Sequence, residues 1–255
     1  MITKSLLTRK AAEENLPAKT IERDYALAHL IAGIAALGNE SGLVFKGGTA
    51  IRLCFLPEYR YSADLDFSVI SGTKEEAYSS ILKAFASVSG DISGLRLTDE
   101  MPPRISYFGP LGRERFLKLD VSVDELVLNT EVRTLLPHWP DLPANSRLRV
   151  YTLIEIAGEK LRCLMQRTQC RDFFDLWVLF TREKVDVWEA IEVFRKKAAH
   201  RGIDFREFAR RYEAVTERYR KNWDAELGEH VQKSVPSFKQ VARGVSRELR
   251  RADIL

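Results

Sequence analysis

The chain is 255 residues long, 45% hydrophobic and 30% charged, with a formal net charge of +4. That length supports one large or two small domains with a real hydrophobic core, and the composition is that of a soluble globular protein rather than a disordered or fibrous one. Cys54, Cys163 and Cys170 form an odd set without a Cys-x-x-Cys pair, which points to a reducing compartment and away from structural zinc. Met1 to Leu7 has too short an apolar run for a signal peptide, and the apolar run from Ala26 to Leu37 falls short of a bilayer span. We therefore expect a cytoplasmic protein with no membrane partner.

In chain order, a short charged helix over about Ser5 to Glu14 is stopped by Leu16-Pro17, and a longer one follows over Ala18 to Leu37. Ile21, Tyr25, Ala28, Leu30, Ile31 and Ile34 form its approximate apolar stripe, and Glu22, Arg23 and Asp24 read as a solvated first turn. The loop Gly38-Asn39-Glu40-Ser41-Gly42 leads into a buried strand at Leu43-Val44-Phe45. Lys46-Gly47-Gly48-Thr49 then turns into a helix start. Adjacent glycines let backbone approach a bulky anion, and the unpaired amides of a helix start favour negative charge, so this turn is a candidate phosphate cradle. Thr49 offers a hydroxyl at the cap.

Ser62 to Val69 alternates strictly: Leu65, Phe67 and Val69 fall on one face of a strand, Asp64, Asp66 and Ser68 on the other. Two carboxylates projected side by side repel unless a cation lies between them, and a hard ion such as Mg2+ suits all-oxygen donors. After a helix over about Lys74 to Val88 come strands near Leu95 to Leu97 and Arg104 to Phe108. Arg115 to Val123 alternates again and sets Asp120 on its polar face. Should this strand pair with the earlier one, three acids can meet at one metal site.

Asn129 to Ser146, with Pro137, Pro140 and Pro143, reads as a linker or meandering loop. Beyond about Val150 the pattern is helical, giving expected domains at 1–150 and 151–255. Thr152-Leu153-Ile154-Glu155 is a capping box opening a helix to about Arg167, and Lys160 sits within that helix's apolar stripe. The next helix, from Arg171 to Phe180, carries Asp172 and Asp175 on one side. A lysine and two acids in apolar helices can form a buried ionic cluster, or Lys160 can hold nucleotide phosphate with the two acids orienting it. From Arg195 to Lys221, ten basic residues stand against four acidic ones, interleaved with Tyr212, Tyr219 and nearby Trp223. Arg243, Arg247, Arg250 and Arg251 share one helix face. These are a possible nucleic-acid footprint.

Taken together, Ile21-Glu22-Arg23-Asp24-Tyr25, Phe45-Lys46-Gly47-Gly48-Thr49-Ala50, Arg60-Tyr61-Ser62-Ala63-Asp64-Leu65-Asp66-Phe67, Leu119-Asp120-Val121, Gly158-Glu159-Lys160-Leu161 and Arg171-Asp172-Phe173-Phe174-Asp175-Leu176 occur in a telling order. The chain resembles the AbiEii/MenT-like nucleotidyltransferase toxins of type IV toxin-antitoxin systems, within the DNA polymerase β-type superfamily. The resemblance spans about residues 20 to 180 and departs from the wider superfamily in having Thr49 where serine is usual. It implies an α+β fold: a polymerase β-like core with a mixed sheet and N-terminal helices, followed by a C-terminal all-helical domain. It also implies a catalytic set of Asp64, Asp66, Asp120, Lys160, Asp172 and Asp175. Nucleoside triphosphate would be held by Lys46, Gly47, Gly48, Thr49, Arg60 and Lys160, and Mg2+ by Asp64, Asp66 and Asp120. The implied reaction moves a nucleotide from NTP onto the 3′ end of tRNA, releases pyrophosphate and blocks translation, and a cognate antitoxin protein is the expected partner. Transfer to a protein or small molecule, and a non-catalytic nucleotide- or partner-binding module, are the alternatives.

Overall fold

A computed structural model describes residues 2–38, 42–88, 92–232 and 234–255; residues 39–41 of the expected loop lie outside them. The chain divides into two units, one of residues 1–125, 130–150 and 230–233, the other of 126–129, 151–229 and 234–255. Among the described residues, seven strands form one sheet in the order β3-β4-β5-β2-β1-β7-β6.

In the first unit, α1 (Lys4–Glu14) and α2 (Ala18–Ala36) precede β1 (Leu43–Lys46). The short helix α3 (Gly47–Ala50) follows β1 directly and continues as a π-helical turn over Ile51–Phe55. Then come β2 (Asp64–Val69), α4 (Lys74–Val88), β3 (Ser93–Leu97), β4 (Arg104–Phe108), β5 (Glu114–Ser122), β6 (Thr130–Thr134) and β7 (Arg147–Tyr151). Period-two alternation gives the central strands a dry face: Leu65, Phe67, Ile105, Tyr107, Leu117, Leu119 and Val121 are buried. Helix α4 packs against β3 and β5 through its buried Ile81, Ala84 and Phe85 stripe, and α2 packs on α4. The other face of β5, with Phe116, Lys118 and Asp120, is exposed.

Two expectations are corrected here. The stretch read as a linker contains β6, a neighbour of β7. Its sequence, Thr-Glu-Val-Arg-Thr, lacks an apolar stripe because an edge strand buries little, and Val132 is 36% exposed. Nor are Glu22 and Asp24 solvated: they are 0% and 1% exposed. Glu22 accepts a hydrogen bond from the Leu111 amide at 2.6 Å and pairs with Arg115, while Asp24 binds Arg52 and the Trp139 indole N–H. Buried carboxylates persist because each has donors close by.

The second unit is helical: α5 (Leu153–Gln166), α6 (Cys170–Trp177) with a π-helical continuation over Val178–Arg182, α7 (Val187–His200), α8 (Phe208–Leu227) and α9 (Phe238–Arg251). Thr152 caps α5 by accepting from the Glu155 amide. Phe173 forms the aromatic centre, stacked on Tyr219 at 5.0 Å between ring centroids and flanked by Tyr212, Trp223 and Phe238. Tyr212, Tyr219 and Trp223 are therefore core residues and not an exposed stacking surface for bases.

Candidate active site

Strand pairing fixes the geometry of the site. Lys46 of β1 lies opposite Asp66 of β2, and Asp66 lies beside Asp120 of the parallel strand β5. Residues in register share a sheet face, so Lys46, Asp66 and Asp120 make one row across three strands. Asp64, two residues before Asp66, stands on the same face and is paired with Lys118.

The glycine turn meets that row at its β1 end. Gly47 has φ +79°, and a Cβ there would lie 2.5 Å from Asp66 Oδ2. A Cβ on Gly48 would lie 2.6 Å from an Arg60 guanidinium nitrogen. The two glycines thus admit a carboxylate and a guanidinium against bare backbone. Arg60 is 4% exposed and donates to the Tyr61 carbonyl, and Lys46 is 5% exposed with its ammonium 4.0 Å from Glu125. Thr49 plays a different part from the expected cap. Lys46 occupies the N-cap position, and the Thr49 hydroxyl donates to the Asp64 carbonyl at 2.5 Å, tying the turn to the acidic strand.

One support went unnoticed in the sequence. Arg52 is 2% exposed, binds Asp24, donates to the Tyr59 carbonyl at 2.7 Å and stacks on Tyr61 at 3.7 Å. This buried pair anchors the segment after the glycine turn to α2. Its only trace in the sequence was an arginine at an apolar position, five residues past Gly47.

In the helical unit, Lys160 lies 2.6 Å from Asp172 and 2.9 Å from Asp175, and Arg167 reaches Asp172 at 2.8 Å. Burial alone would raise the Asp172 carboxyl, but Lys160 and Arg167 outweigh it and hold the group below the ordinary carboxylate range. A second buried cluster joins Lys197, 1% exposed, to Glu155 at 2.8 Å and Glu159 at 3.4 Å. Lys197 therefore does not belong to the basic surface read from 195 to 221. Arg195, Arg206, Arg210 and Arg220 on that stretch pair with Glu192, Asp204, Glu207 and Glu217, so with Lys197 at least five of its ten basic residues are ion-paired. Burial pushes the Cys54 and Cys170 thiols up to about 12 and Cys163 to about 11, leaving no thiolate nucleophile near neutral pH.

For a metal, the donors fit in kind. Asp64, Asp66 and Asp120 supply only carboxylate oxygens, with Asp66 held against the glycine backbone. Among the described residues no group of three or more His, Cys, Asp or Glu side chains is gathered closely enough to hold a metal ion, Asp64, Asp66 and Asp120 included. Magnesium, however, commonly takes one or two carboxylates and completes its shell with water and substrate phosphates. No helix among the described residues is long and apolar enough to cross a membrane.

Comparison with known proteins gives this arrangement a family. The chain is similar over 97% of its length to MenT4, nucleotidyltransferase toxin Rv2826c from Mycobacterium tuberculosis H37Rv, with 19% identity, a TM-score of 0.70 and 89% of that chain covered. At that identity the likeness speaks for the fold, an α+β nucleotidyltransferase architecture. An antigenic nucleotidyltransferase-like protein from Paracoccidioides brasiliensis aligns over 71% of this chain and 89% of its own with 13% identity, but its TM-score of 0.40 carries no argument. No curated protein matches the chain. The family model for the nucleotidyl transferase AbiEii toxin of type IV toxin-antitoxin systems matches residues 29–243. With that model spanning both the acidic sheet face and most of the helical unit, the chain belongs to the AbiEii nucleotidyltransferase toxin family and is a nucleotidyltransferase.

Proposed function

We propose that this nucleotidyltransferase moves a nucleoside monophosphate from NTP onto the 3′ end of tRNA with the help of Mg2+, and so stops translation until a cognate antitoxin restrains it. The observation that carries the reading is the row Lys46, Asp66 and Asp120 meeting the Gly47-Gly48 turn, with Asp64 on the same face. Asp64, Asp66 and Asp120 are the residues that would hold magnesium, which supplies charge neutralisation on the triphosphate when bound.

In this reading the amides of Gly47 and Gly48 receive phosphate oxygens, and Lys46 and Arg60, both nearly buried, add positive charge where solvent screening is weak. The acceptor's 3′ oxygen bonds to the α-phosphorus while the bond to the bridging α–β oxygen breaks, and that oxygen leaves with its electron pair on pyrophosphate. Asp120, exposed on β5 beside Asp66, either completes the carboxylate set for the metal or takes the hydroxyl proton. Lys160, ion-paired with Asp172 and Asp175, is taken as a further phosphate ligand, as the resemblance implies.

The test is labelling of total tRNA by each of the four α-labelled nucleoside triphosphates with magnesium. Wild-type protein should label RNA with at least one of them, and Asp66→Ala should lose at least a thousandfold while its circular dichroism and melting stay near wild type. Full labelling by Asp66→Ala, or label passing into the protein fraction alone, would overturn the reading.

A further inference from the structure

Beside Asp64 lies a cleft of about 440 Å3 that the transfer reading leaves unused. Arg23 of α2, Arg104 of β4 and Phe116 and Lys118 of β5 line it together with Asp64 and Glu100, the latter 3.3 Å from Arg104, so three cations stand against two carboxylates. We propose that this cleft receives the 3′-terminal nucleotide of a single-stranded RNA acceptor, with Phe116 as the surface on which its base stacks and Arg104, Lys118 and Arg23 as its phosphate contacts. The proposal rests on the nucleotidyl-transfer reading above and adds to it where the acceptor enters.

Three observations support it. Arg104, Lys118 and Asp64 are in register across β4, β5 and β2, so two cations and the carboxylate stand in one row. Phe116 precedes Lys118 by two residues, shares its face with Asp120, and is 46% exposed; Met101 at the rim is 84% exposed. An aromatic ring standing open among cations on a sheet is the combination that binds single-stranded nucleic acid, the ring taking a base and the cations the backbone. The cleft's volume also falls in the range of sites for single small ligands.

Position chooses the acceptor over the incoming nucleotide. The Gly47-Gly48 turn follows β1, whereas the cleft's aromatic and two of its cations come from β4 and β5, and β2, whose Asp64 borders the cleft, lies between them in the sheet. Phosphoryl displacement sets the attacking and leaving oxygens roughly in line on opposite sides of the phosphorus. With triphosphate at the glycine turn, the attacking hydroxyl arrives from the β5 side, the side on which Phe116 and Lys118 line the cleft.

The probe is a 5′-fluorescein-labelled single-stranded RNA with a free 3′ hydroxyl, followed by anisotropy and by label transfer. Phe116→Ala should weaken its binding and raise its KM in transfer about tenfold or more, with kcat and the affinity for magnesium nucleotide unchanged. Arg104→Ala and Lys118→Ala should each reduce the slope of log affinity against log salt by about 0.7. Phe116→Leu, which keeps an apolar side chain of similar bulk, guards against misfolding and should weaken RNA binding likewise. Loss of nucleotide affinity with an unchanged RNA KM would assign the cleft to the incoming base and overturn the proposal. So would wild-type transfer to RNA that none of these variants alters, an outcome that leaves the activity itself standing. Phe116-dependent RNA binding by a wild type that transfers no label would instead support the cleft and remove the activity.

Discussion

Gly47 carries two demands at once: a φ of +79° and a Cβ position occupied by the Asp66 carboxylate. Gly47→Ala should therefore cost about 1–2 kcal/mol from backbone strain and also displace Asp66, so that nucleotidyl transfer falls further than stability does. Thermal melting measured beside label transfer checks this, and equal activity at wild-type melting would refute it. Asp172 makes a prediction about pH. Its carboxyl is depressed by Lys160 and Arg167, so its contribution to stability is present above the ordinary Asp range and is lost as pH falls through the lower folded value. Asp172→Asn should lower stability near neutral pH by about 3 kcal/mol and flatten the acid limb of the unfolding profile. A parallel acid limb in wild type and variant would count against the pairing. The carboxylate pair Asp64 and Asp66 was legible from strand alternation, and the glycine turn from two adjacent glycines between an apolar strand and a helix start. Arg52 and Asp24 were not, because pairing across 28 residues leaves no local pattern.

At the level of elements, α5 and α7 approach closely at Gly158. A Cβ there would lie 2.4 Å from Val193 Cγ1 and 2.9 Å from the Ala190 carbonyl, with backbone on one side that cannot yield cheaply. Gly158→Ala should destabilise the helical unit by about 1–3 kcal/mol, read by chemical denaturation, and Val193→Ala should recover part of that loss. No recovery would show that the side-chain clash is not the cause. Helices α2, α4, α5 and α6 were readable from stripes or caps, whereas α7 and α8 were covered only by the general helical pattern beyond Val150. Strand β6 was missed because its five residues have no apolar face to betray them, and a short edge strand is held by hydrogen bonds to its neighbour rather than by burial.

Across the whole molecule, the net charge of +4 is a poor guide to nucleic-acid contact, since much of the basic run at 195 to 221 is paired with acids of its own helices. The arginines of α9 differ. Val241, Val245 and Leu249 bury one side of that helix and leave Arg243, Arg247, Arg250 and Arg251 exposed, and among the described residues Arg243 and Arg250 have no ion pair. Joint replacement, Arg243→Glu with Arg250→Glu, should weaken tRNA binding and flatten its salt dependence by about 2 in slope. Filter binding between 50 and 200 mM salt, the range over which phosphate contacts weaken most visibly, is the measurement. An unchanged slope would exclude α9 from the RNA surface.

The sequence by itself determined the local units: a glycine turn at a helix start, an Asp-x-Asp strand, a second acidic strand and a helical second half. Each follows from a period of two or 3.6 or from turn chemistry, which act between near neighbours. Only the tertiary structure decided that Asp66 and Asp120 stand in register, that Lys160 joins Asp172 and Asp175, and that Phe116 lines a cleft with Arg23, Arg104 and Lys118. Register and side-chain pairing depend on which distant strands and helices come to rest together, and the free energy that selects them is summed over the whole core.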